Sequence, residues 1–147
     1  MPILHSGGVD MYLAGHWHYY ESLWPVRTPS AAGTPKRCAS YKGTNAGCAT
    51  QHSFVNPNSP VHITTGNAGP PGLDSFTEDC THGTTISCHT INSTRKQSQI
   101  FGYGRLVAYN ASTMLYQQVN NADGSIVDSF VITQNKHGPY PATADVY

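Results

Sequence analysis

The chain has 147 residues, 38% of them hydrophobic and 10% aromatic, with eight Lys and Arg balanced by eight Asp and Glu. That length bounds it to one ordinary domain, the aromatic content excludes wholesale disorder, and the neutral balance excludes a basic field for nucleic acid. Apolar runs are short and interrupted, which excludes a membrane-spanning helix of about 20 residues.

In chain order, residues 1–7 (MPILHSG) lack the basic start and apolar run of a signal peptide, so the start is expected to be cut. Residues 9–14 (VDMYLA) read as a buried strand running into Gly15, which places Gly15-His16-Trp17-His18 at the strand's end. From residue 25 to residue 60 the composition shifts to Pro, Gly, Ser, Thr and Asn around Cys38 and Cys48, a pattern that predicts a long loop with no periodic helix or strand. Residues 61–65 (VHITT) read as a second strand, ended by residues 66–72 (GNAGPPG), where Gly can take positive φ and Pro cannot donate to a ladder. A second polar loop follows and holds Cys80 and Cys88.

The last third predicts an antiparallel meander of residues 100–109, 113–119 and 125–132, separated by Asn110-Ala111-Ser112 and by residues 120–124 (NNADG). Alternation puts Ile126, Phe130 and Ile132 on one face and Val127, Ser129 and Val131 on the other. No segment predicts an amphipathic helix, and residues 136–147, with Pro139 and Pro141, are expected to lie extended on the surface.

Charged residues at 11% are fewer than half the roughly 25% of typical soluble domains, and polar uncharged residues are abundant, which suits a secreted protein. The acceptor triplets at Asn92 and Asn110 and an even number of cysteines fit the same compartment. Cys38 and Cys48 enclose nine residues and Cys80 and Cys88 enclose seven, spacings unlike those of zinc fingers. Disulfides are the expectation; three connectivities are open, with local pairing inside each loop preferred.

His16 and His18 stand two apart in what reads as extended chain just past a strand, so their rings are expected to face one side, with Trp17 turned away and packed in the core or, as the alternative, lining a substrate rim. Imidazole ligates Zn, Fe, Mn and Cu, and loops at the carboxyl ends of strands carry such ligands on a rigid base. His5, His52, His62, His82, His89 and His137 are expected in surface or loop roles, with a core position as the alternative for His62. Asp74, Glu78 and Asp79 are expected to be solvated.

The run from Val9 to Glu21, VDMYLAGHWHYYE, resembles the last metal-binding motif of the purple acid phosphatases, of pattern VD-x-x-x-x-GH-x-H-x-YE. PVHITTGNAG from residue 60 is similar to that family's strand into a glycine-rich turn, FGYGRL from residue 101 follows in order, and Asn110, Leu115 and DSFVI from residue 128 resemble its closing meander. Residues 28–59 and 77–99 carry no match. The resemblance implies a four-layer α/β metallophosphoesterase sandwich, of which residues 1–147 would be the β-rich C-terminal portion of one domain, with 28–59 and 77–99 as loop insertions. It also implies a secreted acid phosphatase that hydrolyses phosphate monoesters at a binuclear centre of Fe and a divalent metal (Zn, Mn or Fe). By position, His16 would bind the divalent metal and His18 the ferric one, with Tyr20 and Glu21 supporting the ligand geometry.

The family's aspartate motif, its Gly-Asp motif with the following tyrosine, its Asn-His motif and a further histidine precede this region, and none is present in the chain. Two imidazoles cannot hold two metals, so the isolated chain is expected to bind none and to be inactive. Two other readings compete with the enzyme fragment. One is a complete, non-catalytic extracellular structural glycoprotein that self-associates through exposed strand edges. The other is a small metal-binding protein whose site a second chain completes.

Overall fold

The computed structural model describes residues 2–25, 52–69, 71–74 and 94–140. They form a short helix α1 (Pro2–Ser6) and eight strands: β1 (Met11–Ala14), β2 (Tyr20–Leu23), β3 (Ser53–Val55), β4 (Val61–Thr65), β5 (Thr94–Ser98), β6 (Gly102–Asn110), β7 (Thr113–Asn120) and β8 (Ile126–Thr133). The strands make two mixed four-stranded sheets, ordered β1-β4-β2-β5 and β3-β8-β7-β6.

In the first sheet, β4 takes β1 in parallel, with Met11 opposite Val61 and Ala14 opposite Thr64, and β2 antiparallel, with Tyr20 opposite Thr65. The β-branched run of β4 suits this two-sided position: Val61 and Ile63 are buried toward the core, and His62 is buried as well, its ring 5.8 Å from that of Tyr12. In the second sheet, β7 lies between β6 and β8, antiparallel to both. The turns between them are built by side chains that read as turn formers. Asn110 Oδ1 accepts from the Ser112 amide at 2.8 Å, and Gly124 takes a φ of 73°. Asp123 Oδ1 accepts from both the amide and the hydroxyl of Ser125, and these bonds hold its carboxyl below the usual carboxylate range.

A line of rings joins the two sheets. Tyr20 stacks on Tyr116 (centroids 6.2 Å apart) and Tyr116 on Phe130 (5.1 Å), while Phe54 meets Phe130 and Trp24 edge-on at 5.4 and 6.2 Å. Each such pair contributes about 0.5–1.5 kcal/mol beyond the area it buries. Val61, Ile63, Leu23 and Ile132 complete the cluster.

Beside the rings lies a buried ion pair. Arg95 of β5 meets Asp128 of β8 with side chains 0% and 3% exposed, so the pair bridges the two sheets. The Tyr20 hydroxyl donates to the same carboxylate at 2.5 Å, Arg95 Nε donates to Ser22 Oγ at 3.1 Å, and the guanidinium carbon lies 5.1 Å from the Phe130 ring centre. Burial, followed by the Asp128 charge, pushes the Tyr20 phenol far above its ordinary value, so it stays a donor. A second polar set locks the turn after β4. Asn67 Nδ2 donates to the Ile100 carbonyl at 2.6 Å, and Gln118 Nε2 donates to Asn67 Oδ1 at 3.2 Å.

Several expectations are corrected by the structure. The stretch 25–60 contains β3, which pairs in parallel with β8 (Phe54 opposite Ile132) and sends Phe54 into the core. Three residues are too few to show a period, and the open edge of β8 supplies their ladder partners. The stretch 77–99 ends in β5, whose polar sequence TRKQS hides a strand held by β2 and by the Arg95 ion pair. Residues 2–6 form a helix that no pattern announced. Gln118 pairs with Asp128 but Val119 pairs with Ile126, so a bulge at Val127 turns Ile126 out to solvent and away from the face of Phe130 and Ile132.

In the described part of the tail Lys136, His137 and Pro139 are exposed as expected, but Tyr140 is buried: its amide donates to the His5 carbonyl at 3.0 Å, and its hydroxyl donates to the Val9 carbonyl at 3.2 Å. Burial, then the Asp10 charge, pushes the Tyr140 phenol up to about 12. His5 is buried rather than at the surface and His62 takes the core position that was its alternative, whereas His52 and His137 are exposed, with His52 Nδ1 2.7 Å from the Ser129 carbonyl. Cys38, Cys48, Cys80, Cys88, Asn92, Glu78, Asp79, His82 and His89 lie outside the described residues.

Candidate metal centre

β1 and β4 run in parallel and end side by side, and β2 returns antiparallel on the other flank of β4. Residues 15–19 therefore cross over the carboxyl end of β4, the kind of position where α/β sheets carry their chemistry. The crossing is tight. Trp17 N donates to the Gly15 carbonyl at 3.0 Å, and His16 takes a φ of 76°, a left-handed conformation uncommon outside glycine.

That conformation corrects the expectation of an extended segment. The alternation that would turn Trp17 inward is broken at His16, and Trp17 lies 39% exposed, stacked on Tyr19 at 6.3 Å and edge-on to the His16 ring at 5.9 Å. His16 is exposed and His18 half-buried, so both imidazoles stand clear of the core cluster. Gly66, directly after β4, makes the close crossing feasible. Its amide donates to the Tyr19 carbonyl at 3.3 Å, and a Cβ there would sit 2.1 Å from the Trp17 carbonyl oxygen. Any side chain at this position would push the histidine bend outward.

Asp74, expected to be solvated, is instead held against His18. His18 N donates to Asp74 Oδ2 at 2.7 Å, Asp74 N donates to the His18 carbonyl at 3.2 Å, and His18 Nδ1 lies 3.9 Å from Asp74 Oδ1. Gln99 Nε2 donates to the Asp74 carbonyl at 2.6 Å and ties the same loop to the end of β5. Neither residue was legible as part of this site, because the separation of 56 positions from His18 to Asp74 conceals a contact that only the sheet creates.

Tyr20 and Glu21 lie in β2, behind the bend. The Tyr20 hydroxyl ends on Asp128, and Glu21 Oε1 accepts from Gln97 Nε2 at 2.9 Å, so both fix the strand from which the loop departs. Among the described residues, no group of three or more His, Cys, Asp and Glu side chains converges as a metal site. The donor chemistry fits one part of such a centre: two imidazoles off the core, one with a carboxylate near Nδ1, as ligating histidines commonly have. It does not complete one.

The family model described as iron/zinc purple acid phosphatase-like protein C matches residues 59–129, from just before β4 into β8. Acid phosphatase type 7 of Danio rerio is 30% identical over 139 residues, which cover 93% of this chain and 26% of that protein. Its counterpart in Homo sapiens is 29% identical over 138 residues, covering 92% of this chain and 26% of the relative. An acid phosphatase of Aspergillus ficuum is 29% identical over 131 residues, covering 88% of this chain and 19% of its own length. Among solved structures, purple acid phosphatase PPD1 from yellow lupin seeds shares the fold with a TM-score of 0.63 at 22% identity, covering 90% of this chain and 19% of that one. The chain thus spans about a quarter of the length of the animal relatives it matches.

Proposed function

Since the chain belongs to the purple acid phosphatase-like proteins and corresponds to their C-terminal part, we propose that it is a piece of a secreted acid phosphatase that hydrolyses phosphate monoesters at a binuclear metal centre. His16 and His18 are two of the ligands in this reading, His16 for a divalent metal (Zn, Mn or Fe) and His18 for iron. The parent domain is a four-layer α/β sandwich, and the two sheets described here are its C-terminal portion. Two cations held there would supply Lewis-acid polarisation of the ester and charge neutralisation at phosphorus. This chain's own residues present two imidazoles, fix their loop over β4 through Gly66 and Asp74, and hold β2 by way of Tyr20 and Glu21.

The observation that carries the reading is the histidine bend itself, lifted off the carboxyl ends of a parallel strand pair with both rings outside the core. Local disulfides Cys38–Cys48 and Cys80–Cys88 and glycans on Asn92 and Asn110 accompany secretion in this proposal. Each bridge would restrict its unfolded loop by roughly 2–3 kcal/mol. No helix among the described residues is long and apolar enough to cross a membrane.

A second reading has its own observation. β6 closes one edge of its sheet, and Tyr103, Leu106, Val107 and Tyr109 along it are all exposed. An open apolar edge templates pairing, which fits a non-catalytic, self-associating glycoprotein domain. The same strand in the phosphatase reading faces the rest of the parent domain. The intact, deglycosylated mass of the native protein separates the two: a value well above 15.9 kDa is expected, and a value near 15.9 kDa with formation of oligomers would favour the second reading.

A further inference from the structure

We infer that Asp74 is the positioning residue for His18, orienting its imidazole so that Nε2 is the nitrogen offered to a metal. The inference rests on the reading of His18 as a ligand and adds to it a residue that no motif marks.

The geometry is specific. Asp74 and His18 exchange two hydrogen bonds, His18 N to the carboxylate at 2.7 Å and Asp74 N to the His18 carbonyl at 3.2 Å, so the two loops are bridged through their backbones. Gln99 Nε2 holds the Asp74 carbonyl from the far side at 2.6 Å. With one carboxylate oxygen anchored on the His18 amide, the other is placed 3.9 Å from Nδ1 of the same residue. Both side chains are nearly two-fifths exposed, and an exposed polar contact of this kind contributes little to folding. Its consequence is orientation: the negative charge beside Nδ1 favours the tautomer with the proton on that nitrogen, leaving the Nε2 lone pair for ligation.

The test uses the full-length protein that carries this chain, purified with its metals, as wild type and as Asp74→Asn, Asp74→Ala and His18→Ala. Iron and zinc retained per polypeptide are measured after equilibration against graded EDTA, alongside the thermal midpoint of each metal-free form, which metal binding does not shift. Asp74→Asn can still accept from the His18 amide but has no charge for the ring. It is expected to lower metal affinity about 10- to 100-fold with the midpoint unchanged. Asp74→Ala, which also loses the backbone anchor, is expected to lose at least as much.

Wild-type retention in Asp74→Asn, while His18→Ala loses a metal, would overturn the role of Asp74 and leave the ligand reading standing. Full retention in His18→Ala would remove the ligand reading itself, and this inference with it. Metal loss in Asp74→Asn that merely follows a fall in the midpoint would mark Asp74 as a structural brace and likewise overturn the inference.

Discussion

Phosphate monoester hydrolysis by the full-length protein is expected to fall roughly a hundredfold or more in His16→Ala and in His18→Ala, the several kcal/mol that a Lewis-acid site supplies to such a transition state. Folding should hardly change, because neither ring belongs to the core cluster and surface replacements usually stay within about 0.5 kcal/mol. His16→Gly sharpens the separation of the two effects. Glycine suits the φ of 76° that His16 adopts, so the thermal midpoint should hold while hydrolysis is lost. Steady-state hydrolysis of an aryl phosphate by each variant and a melting curve of its metal-free form check this. Wild-type turnover in both alanine variants would remove the metal assignment.

The largest effect on stability is expected at Asp128, in the buried pair that bridges the two sheets. Asp128→Ala takes the carboxylate away from a guanidinium whose side chain is 0% exposed, and removes the acceptor of the Tyr20 hydroxyl. Breaking a buried pair from one side costs about 3–5 kcal/mol, which for a chain of this size corresponds to roughly 10 °C or more in the midpoint. Replacing both partners, as Arg95→Met with Asp128→Leu, should recover much of that loss, because the cost lies in the stranded charge and not in the absent bond. Thermal unfolding of Arg95→Met, Asp128→Leu and the double variant forms the cycle. A shift of under 1 kcal/mol in Asp128→Ala would show that the pair does not tie the sheets together.

The elements legible in the sequence were those whose side chains alternate or whose ends are marked. Residues 61–65 carry β-branched side chains up to a glycine turn, and residues 100–132 are divided by Asn, Asp and Gly at the two turns that the structure contains. Strands supported from elsewhere were not legible. β5 is polar throughout and is kept in the sheet by β2 and by a partner at Asp128, and β3 has only Phe54 to announce it.

The site divides in the same way. The spacing of His16 and His18 marked where to look, but the left-handed turn at His16 exposes Trp17 against the alternation, and local sequence carries no sign of that. Gly66 was legible as a turn former, whereas its closer role, leaving room for the Trp17 carbonyl where no Cβ fits, depends on β1 and β4 ending together. Asp74 reaches His18 only through the sheet, and no window of sequence contains both.

The central claim, that the two histidines of this bend hold metals, is tested most directly by anomalous X-ray scattering from crystals of the native full-length protein, with data on either side of the iron and zinc edges. The account predicts two metal peaks, one beside a ring nitrogen of His16 and one beside a ring nitrogen of His18, each about 2.0–2.2 Å away. Metal peaks held by other residues, with both imidazoles free of metal, would contradict it.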